Sequence, residues 1–355
     1  MVLKKQLLNF LKFLLFLGIG VTILYLVYRS QNAAYQEECA LRGIPAEDCS
    51  LLRKVWNDFR SVNYFWILMV FVVYALSNVS RAIRWNMLLR TLGYQPRFSN
   101  ALLTTIVGYF ANLGLPRMGE VVRAGMMARY EKMPVEKVIG TVFVDRVVDV
   151  ISILFMTGLA LLLDFDKILA FANEYVDLSG RFGGSGAVLG LLALIGVAAL
   201  SLFYVFRKQL MQIALVKKIV AIFKGFGQGI QTIRKVKRPW LFILHSLNIW
   251  VMYFLMNYFC LLSFAPTADL PMLAALTTFV FGAWGIVIPS PGGMGTYHFL
   301  VQLALGFYGV SGDDGFSFAN IAFFSIQLGC NVFWGILALL FLPNINRNYQ
   351  PAPAV

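Results

Sequence analysis

Two apolar segments of this chain end in proline–glycine breaks and match one another at a fixed offset. Residues 103–119 read LTTIVGYFANLGLPRMG and residues 276–292 read LTTFVFGAWGIVIPSPG, so the Leu-Thr-Thr, Val, Pro and Gly positions recur 173 residues apart. Matched interrupted segments in two halves of a chain are typical of a transporter's binding site. We predict two repeat halves, 1–173 and 174–355, each with one interrupted segment. The alternative is that both segments merely share an apolar composition.

The composition indicates a membrane protein. Hydrophobic residues make up 59% and charged residues 13% of the 355 residues, which leaves too little polar surface for a water-soluble core. Six apolar runs approach the ~20 residues that a helix needs to cross the hydrocarbon, and they lie at 7–28, 64–83, 138–163, 187–206, 240–264 and 317–342. We predict an all-α polytopic membrane protein with a single integral membrane domain over 1–355 and a retained anchor at its first run.

Three further apolar stretches, 98–116, 272–289 and 294–310, are shorter, rich in glycine or broken. Non-helical backbone inside a membrane must be buried in protein or line a cavity, so such stretches suit hairpins that enter and leave on one side. The prediction is about six full transmembrane helices, up to eight by count, plus two re-entrant hairpins. Three spans and one hairpin per half make an odd number, which gives an inverted repeat.

The basic residues are segregated by side. Between Arg207 and Arg238 there are nine Lys or Arg and no acid, whereas 265–315 contains three Asp and no base. The positive-inside rule places the first stretch in the cytoplasm and the second on the far side. We expect a cytoplasmic N-terminus, an extracytoplasmic loop at 29–63 and a basic amphipathic segment at 207–239 along the inner surface. The net charge of +13 therefore does not indicate nucleic-acid binding. If 294–310 spans, the C-terminus lies outside.

The four cysteines fall into two pairs. Cys39 and Cys49 share the loop that the topology places outside, where a disulfide persists; two free thiols are the alternative. Cys260 and Cys330 lie in apolar runs and are expected to be packing residues. We expect no metal site, because the sequence has no CxxC and no clustered histidines, and we expect no other cofactor.

Three charged residues, Asp145, Arg146 and Asp149, lie inside the third apolar run. Each charge near a bilayer centre costs about 2.5–3.5 kcal/mol on insertion scales, so they need partners. Asp145 and Asp149 share a helix face, and Arg146 reaches Asp149 at a spacing of three. We expect them to pair with the polar residues around the first break and to line a cavity open to the cytoplasm; those residues are Asn112, Arg117, Glu120 and Arg123.

This polar cluster has two interpretations. Guanidinium forks hold two phosphate oxygens at once, which favours a lipid headgroup site; the alternative is a salt-bridge network that only joins helices. Arg81 and Arg84 end the second run, where basic residues usually anchor a helix at the interface, and headgroup contact is the less favoured alternative. The second break offers freed amides and a helix N-terminus for an anion, and its candidates are Pro289, Gly292, Gly293, Gly295 and His298.

Four motifs resemble one known family. RAIRW at 81–85, GLPRMGEVVRA at 114–124, FVDRVVD at 143–149 and PSPGGMGTYH at 289–298 are similar to the lysylphosphatidylglycerol synthase transmembrane region, also called the flippase-like family. The resemblance covers nearly the whole chain. Members of that family can carry a soluble aminoacyl-transferase domain, which has no counterpart here. The resemblance therefore implies lipid translocation without the synthase activity. Where the family often has an acid after Pro-Gly-Gly, this chain has His298.

Two functions remain as hypotheses. The first is a flippase-like transporter in a bacterial cytoplasmic membrane that moves a phosphate-bearing lipid, an anionic phospholipid or polyprenyl-phosphate lipid, between leaflets. The second is a membrane-embedded transferase with Asp145 or Asp149 as base, and a scaffold for an envelope enzyme is a third, non-catalytic alternative. The transporter is preferred over an enzyme. Partners other than lipid are a second copy of the chain or an envelope enzyme, and ATP drive would need a partner because no nucleotide-binding loop is present.

Overall fold

Every regular element in the described part of the chain is a helix. The computed structural model describes residues 49–114, 118–167, 233–288 and 293–351, together with shorter pieces between Gly18 and Pro45. Within these ranges there is no strand, which confirms the predicted all-α class. The apolar run 187–206, most of the basic segment 207–239, and Arg117, Pro289 and Gly292 lie outside the described residues.

From Leu51 onward, the described helices of more than ten residues fall into two series, and in each series two short helices lie between two long ones. The first series is α1 Leu51–Ser61, α2 Tyr64–Arg90, α3 Phe98–Gly114, α4 Met118–Tyr130 and α5 Val135–Leu163. The second is α6 Pro239–Ser263, α7 Met272–Val287, α8 Thr296–Gly306 and α9 Gly312–Ile345. Of these, α2, α5, α6 and α9 are long and apolar enough to cross a membrane. They coincide with four of the six predicted spans, so the chain is a multi-pass membrane protein.

Local sequence explains where the long helices begin. Asn63 starts α2 by accepting a hydrogen bond from the Phe65 amide at 3.0 Å, and Pro239 occupies the first turn of α6, where its missing N–H costs nothing. Ser311 starts α9 by accepting a hydrogen bond from the Asp314 amide. The middle of α9 widens into a π-helical segment, Phe323–Cys330, before regular helix resumes. Such segments are rare and often lie at functional sites.

The helix boundaries recur at the offset found in the sequence. Shifting α2 by 173 residues gives 237–263, and α6 is Pro239–Ser263; shifting α3 gives 271–287, and α7 is Met272–Val287. The packing recurs as well: α2 lies along α6, α3 pairs with α4, and α7 pairs with α8. The last long helix of each series, here called its closing span, packs against a short helix of the other series: α9 packs against α3, and α5 packs against α7.

Glycine lets the short helices of each pair approach closely. A Cβ at Gly119 of α4 would collide with the carbonyl oxygen of Gly108 in α3, and one at Gly285 of α7 would lie 2.6 Å from the Cα of Tyr297 in α8. Thr296 Oγ1 then donates to the Gly285 carbonyl oxygen at 2.6 Å. Both pairs therefore depend on the absence of a side chain where their backbones meet.

The region before α2 is joined to α9 by charge. Lys54 of α1 contacts Asp58 at 2.8 Å, Asp314 at 2.6 Å and Asp313 at 3.6 Å. Burial alone lowers the pKa of Lys54, but hydrogen bonds to Asp314 and Asp58 outweigh it and raise that pKa above its ordinary value.

In the structure a disulfide links Cys39 to Cys49, with a Cα–Cα distance of 6.2 Å. Cys260 and Cys330 are free and buried.

The contact between α3 and α4 can be tested with a matched pair of glycines. Gly119→Ala forces a methyl group into the Gly108 backbone, and overpacking of this kind costs about 1–3 kcal/mol. Gly125→Ala in the same helix meets no atom within 4 Å and replaces a helical glycine, which stabilises a helix by up to ~1 kcal/mol. Thermal unfolding in detergent should show a lower Tm for the first variant only. A Tm for Gly119→Ala at or above that of Gly125→Ala would contradict the close approach.

Candidate functional site

The middle of α5 carries two carboxylates on one helix face. Asp145 and Asp149 are one turn apart, and Asp149 is the central residue of this 29-residue helix. At ~1.5 Å per residue the helix is about 43 Å long, so both groups lie deep within the span. Both face α2, which supplies Arg81 and Arg84 one turn apart. The spacing of the two acids therefore matches the spacing of the two bases.

Asp145 is held by three arginines from two helices. Arg84 donates to its Oδ1 through Nε at 2.9 Å and Nη2 at 2.6 Å. Arg81 Nη1 at 3.2 Å and Arg123 Nη2 at 2.9 Å donate to its Oδ2. Asp145 has no solvent exposure. Four charge-assisted hydrogen bonds compensate the loss of water around this carboxylate.

Asp149 is held in the same way. Its Oδ1 accepts from Arg84 Nη2 at 2.7 Å and Arg81 Nη2 at 3.3 Å. Its Oδ2 accepts from Arg81 Nη1 at 2.8 Å and from Arg146 Nη1, one turn back on α5, at 3.2 Å. Each of the four carboxylate oxygens of Asp145 and Asp149 thus accepts two hydrogen bonds. These acids position the arginines and have no open acceptor.

Arg81 and Arg84 are interior residues. They are 1% and 0% exposed, and they also reach α6, where Arg81 donates to the Tyr253 hydroxyl at 3.1 Å and Arg84 to the Ser246 hydroxyl at 3.3 Å. Their interpretation as anchors at the membrane interface is wrong, because buried acids on α5 draw both guanidiniums inward. The sequence does contain a signal, since two bases three apart and two acids four apart in neighbouring spans can pair face to face.

Arg123 connects the short helix α4 to this network. Its guanidinium lies over the Trp85 ring, 4.3 Å from the centroid, and the Trp85 Nε1–H donates to Thr141 of α5 at 3.0 Å. Stacking on an aromatic face suits a weakly hydrated guanidinium in a buried site. Arg123 thereby ties the short helix α4 to the long spans α2 and α5.

Apart from Arg81 Nε, the polar atoms of the network that lack a partner lie at one edge. Arg146 Nη2 pairs with Glu120 Oε1 at 2.9 Å, and these two side chains keep 36% and 27% of their surface exposed. Glu120 Oε2, Arg123 Nε and Arg146 Nε are buried without a hydrogen-bond partner. They border a narrow cleft that has no room for a water molecule in this conformation, and its lining includes Tyr109, Asn112, Gly119, Glu120, Arg123 and Arg146.

The charge of this edge favours an anion. Among the described residues of the cluster, four guanidiniums face three carboxylates, so one positive charge is uncompensated. Unmatched buried charge is costly in a low-dielectric interior. A ligand with phosphate oxygens would supply both the missing negative charge and the missing acceptors for Arg123 and Arg146.

The other candidates are placed as follows. Asn112 Oδ1 accepts from the Gly119 amide at 2.8 Å and so bridges the first break. At the second break, Gly293 and Gly295 have φ values of 82° and 83°, a conformation that favours glycine. His298 is 1% exposed and lies between the rings of Phe316 and Phe323. Sequence reasoning missed Tyr109 and Tyr253, whose rings flank Arg81.

These features define a multi-pass α-helical membrane protein with an arginine–carboxylate cluster buried at mid-span. The chain belongs to the family described as Lysylphosphatidylglycerol synthase TM region, which it matches over residues 50–335. The UPF0104 membrane protein MJ1595 of Methanocaldococcus jannaschii is 31% identical over 109 residues, 30% of this chain and 32% of that protein. Glycosyltransferase AglD of Haloferax volcanii is 24% identical over 253 residues, 64% of this chain and 40% of that protein.

These matches cover about a third to two fifths of the length of the two relatives. No solved structure matches the chain significantly. Family membership together with a buried polar site relates the chain to the handling of membrane lipids.

The structural importance of the central acid can be measured directly. Asp145→Asn removes the charge that holds three arginines in the interior, and breaking a buried ion pair costs about 3–5 kcal/mol. Asp58→Asn removes one of three carboxylates around the half-buried Lys54 and leaves Asp313 and Asp314 in place, so the loss should be smaller, about 0–1 kcal/mol. Thermal unfolding of the purified variants should show a large fall in Tm for the first only. Equal Tm values would mean that Asp145 does not hold the cluster together.

Proposed function

We propose that the chain translocates a phosphate-bearing lipid between the leaflets of the cytoplasmic membrane. The observation that carries this proposal is an uncompensated guanidinium charge, with orphaned donors, beside a cleft in the middle of a membrane span. Moving an ionised headgroup through hydrocarbon requires a polar binding site of opposite charge near the midplane of the membrane. Family membership supports a lipid as the substrate.

The residues take different roles in this proposal. Arg146 and Arg123 bind the phosphate oxygens because they border the cleft and retain unused N–H groups. Glu120 holds Arg146 in place when the site is empty and yields it to the headgroup. Asp145 and Asp149 orient the arginines. Arg117, which lies outside the described residues, belongs to the same proposed site.

The proposed transport path uses an inverted repeat of two halves. The recurrence of helix boundaries and the reciprocal packing of closing spans on short helices support it. In this arrangement α3–α4 and α7–α8 are re-entrant hairpins that enter from opposite faces and meet near the midplane. The loop 29–63 lies outside the cytoplasm, and Gly293, Gly295 and His298 belong to the hairpin of that side.

The second candidate is a membrane-embedded transferase. The relative from Haloferax volcanii is named a glycosyltransferase, but the match covers 40% of that protein, so its name does not settle the role of the shared part. Asp145 and Asp149 are poor candidates for a general base, since each of their oxygens already accepts two hydrogen bonds from arginine. The geometry therefore favours transport.

Lipid movement in liposomes tests the proposal. The purified chain is reconstituted with a fluorescent phosphatidic acid, and the rate at which its headgroup changes leaflet is measured. Arg146→Gln should lower this rate at least about tenfold, because hydrogen bonds to charged groups contribute about 1.5–3 kcal/mol. Arg129→Gln, on the exposed side of the same short helix as Glu120, should leave the rate unchanged.

Mass analysis of the lipid after the assay separates the alternatives. Unchanged lipid on the other leaflet supports transport, and a new lipid species supports the transferase. Equal rates for wild type and Arg146→Gln would remove the cleft from the mechanism and leave the cluster as a helix-joining network.

A further inference from the structure

The two pairs of short helices, α3–α4 and α7–α8, are each held at the end opposite to the proline–glycine break. The same three kinds of side chain make the contact in both places. Each fastening consists of a buried carboxylate, a tyrosine whose hydroxyl donates to it, and a basic side chain over the tyrosine ring. In the first, the tyrosine follows the last long helix α9; in the second, the acid and the basic residue follow the long helix α5. The carboxylates, Glu131 and Asp164, are 5% and 3% exposed.

The first latch consists of Arg97, Glu131 and Tyr349. Tyr349 follows α9, and Glu131 directly follows α4. The Tyr349 hydroxyl donates to Glu131 Oε2 at 3.0 Å. Glu131 Oε1 accepts from the Arg97 amide at 3.0 Å and from Asn100 at 2.6 Å at the start of α3. The Arg97 guanidinium lies 4.2 Å from the centroid of the Tyr349 ring. Thus the end of α9 is tied to both helices of the α3–α4 pair.

The second latch consists of Asp164, Lys167 and Tyr308. The Tyr308 hydroxyl, just after α8, donates to Asp164 Oδ2 at the end of α5. Thr277 of α7 donates to the same oxygen at 2.5 Å. The Lys167 ammonium lies 3.9 Å from the centroid of the Tyr308 ring. Thus the end of α5 is tied to both helices of the α7–α8 pair.

The two latches are related by an exchange of roles. In the first, the short pair supplies the acid and the closing span the tyrosine; in the second, the short pair supplies the tyrosine and the closing span the acid. Glu131 lies just before α5 and Asp164 just after it. Because α5 is about 43 Å long, the latches lie at opposite ends of the membrane-spanning body.

We propose that these two clusters are gate latches, each holding its own hairpin closed against the opposite half, and that transport opens them one at a time. This inference rests on the proposed function, because it assigns the two hairpins to opposite gates. The structure holds both latches closed, which corresponds to an occluded state. Opening to either face separates one tyrosine–carboxylate pair and leaves the other intact.

The two latch tyrosines are protonated at physiological pH. Burial and the hydrogen bond to Glu131 raise the pKa of Tyr349 to about 12. Burial and the hydrogen bond to Asp164 raise the pKa of Tyr308 in the same direction. Both phenols therefore keep the proton that they donate. Opening a latch near neutral pH therefore does not involve loss of the phenol proton.

Hydrogen exchange of the full chain in phosphatidylcholine nanodiscs tests each latch separately. Tyr349→Phe removes the donor of the first latch and should raise amide exchange in α3 and α4 about tenfold, the change expected for one hydrogen bond to a charged group. Tyr308→Phe should do the same in α7 and α8 only. Tyr130→Phe, at the last residue of α4 beside Glu131, is the matched control and should change neither pair.

Two results would overturn the latches: exchange that rises equally in both hairpins, or exchange that rises in neither. If Tyr349→Phe does not yield folded protein, Glu131→Gln replaces it and must show the same local increase. The lipid movement assay is run on the same variants. If exchange is unchanged or rises equally in both helical pairs while lipid movement is intact, the latches are wrong and the proposed transport stands. If exchange rises only in the expected pair but even the wild-type chain moves no lipid, the transport function is wrong and the two clusters only join helices.

Discussion

Two carboxylates in the middle of α5 determine what the rest of the molecule can be. Four arginines at the depth of the membrane-spanning helices would be too costly in free energy if they faced hydrocarbon, because each charge is costly there even on insertion scales. Asp145 and Asp149 make them tolerable by accepting two guanidinium hydrogen bonds on every oxygen. Since the arginines come from α2, α4 and α5, this neutralisation also fixes how those helices pack. Removing the acids would leave buried charges without partners.

One end of the cluster is buried, and the other end is partly exposed. Around Asp145 the groups are fully buried, and there the network joins helices. Toward Arg146 and Glu120 the side chains are partly exposed, and buried polar atoms lack partners. We propose that the buried end serves as a helix-joining network and the partly exposed end as the binding site. In the proposed inverted repeat, this cluster lies between two hairpins, each closed by its own proposed latch.

Much of the architecture was predictable because it depends on local composition. Hydropathy gives the four described spans, the 173-residue offset gives the matching helix boundaries, and a spacing of three gives the Arg146–Asp149 pair. The inward position of Arg81 and Arg84 was not predictable in this way, because their partners lie about sixty residues away and pairing depends on which spans are neighbours. The latches were missed for the same reason: a tyrosine or an acid at a helix end carries no pattern until the two halves are packed.

The central claim is that the guanidinium edge at mid-span, where Arg123 Nε and Arg146 Nε lack acceptors, recognises a phosphate. Native mass spectrometry of the detergent-solubilised protein, offered phosphatidic acid and a diacylglycerol with the same chains, measures this recognition without requiring transport. The account predicts that the phosphate-bearing lipid is retained at least about tenfold more than the uncharged lipid, the difference expected from one charge-assisted hydrogen bond, and that Arg146→Gln abolishes the difference. Equal retention of the two lipids by the wild-type chain would contradict it.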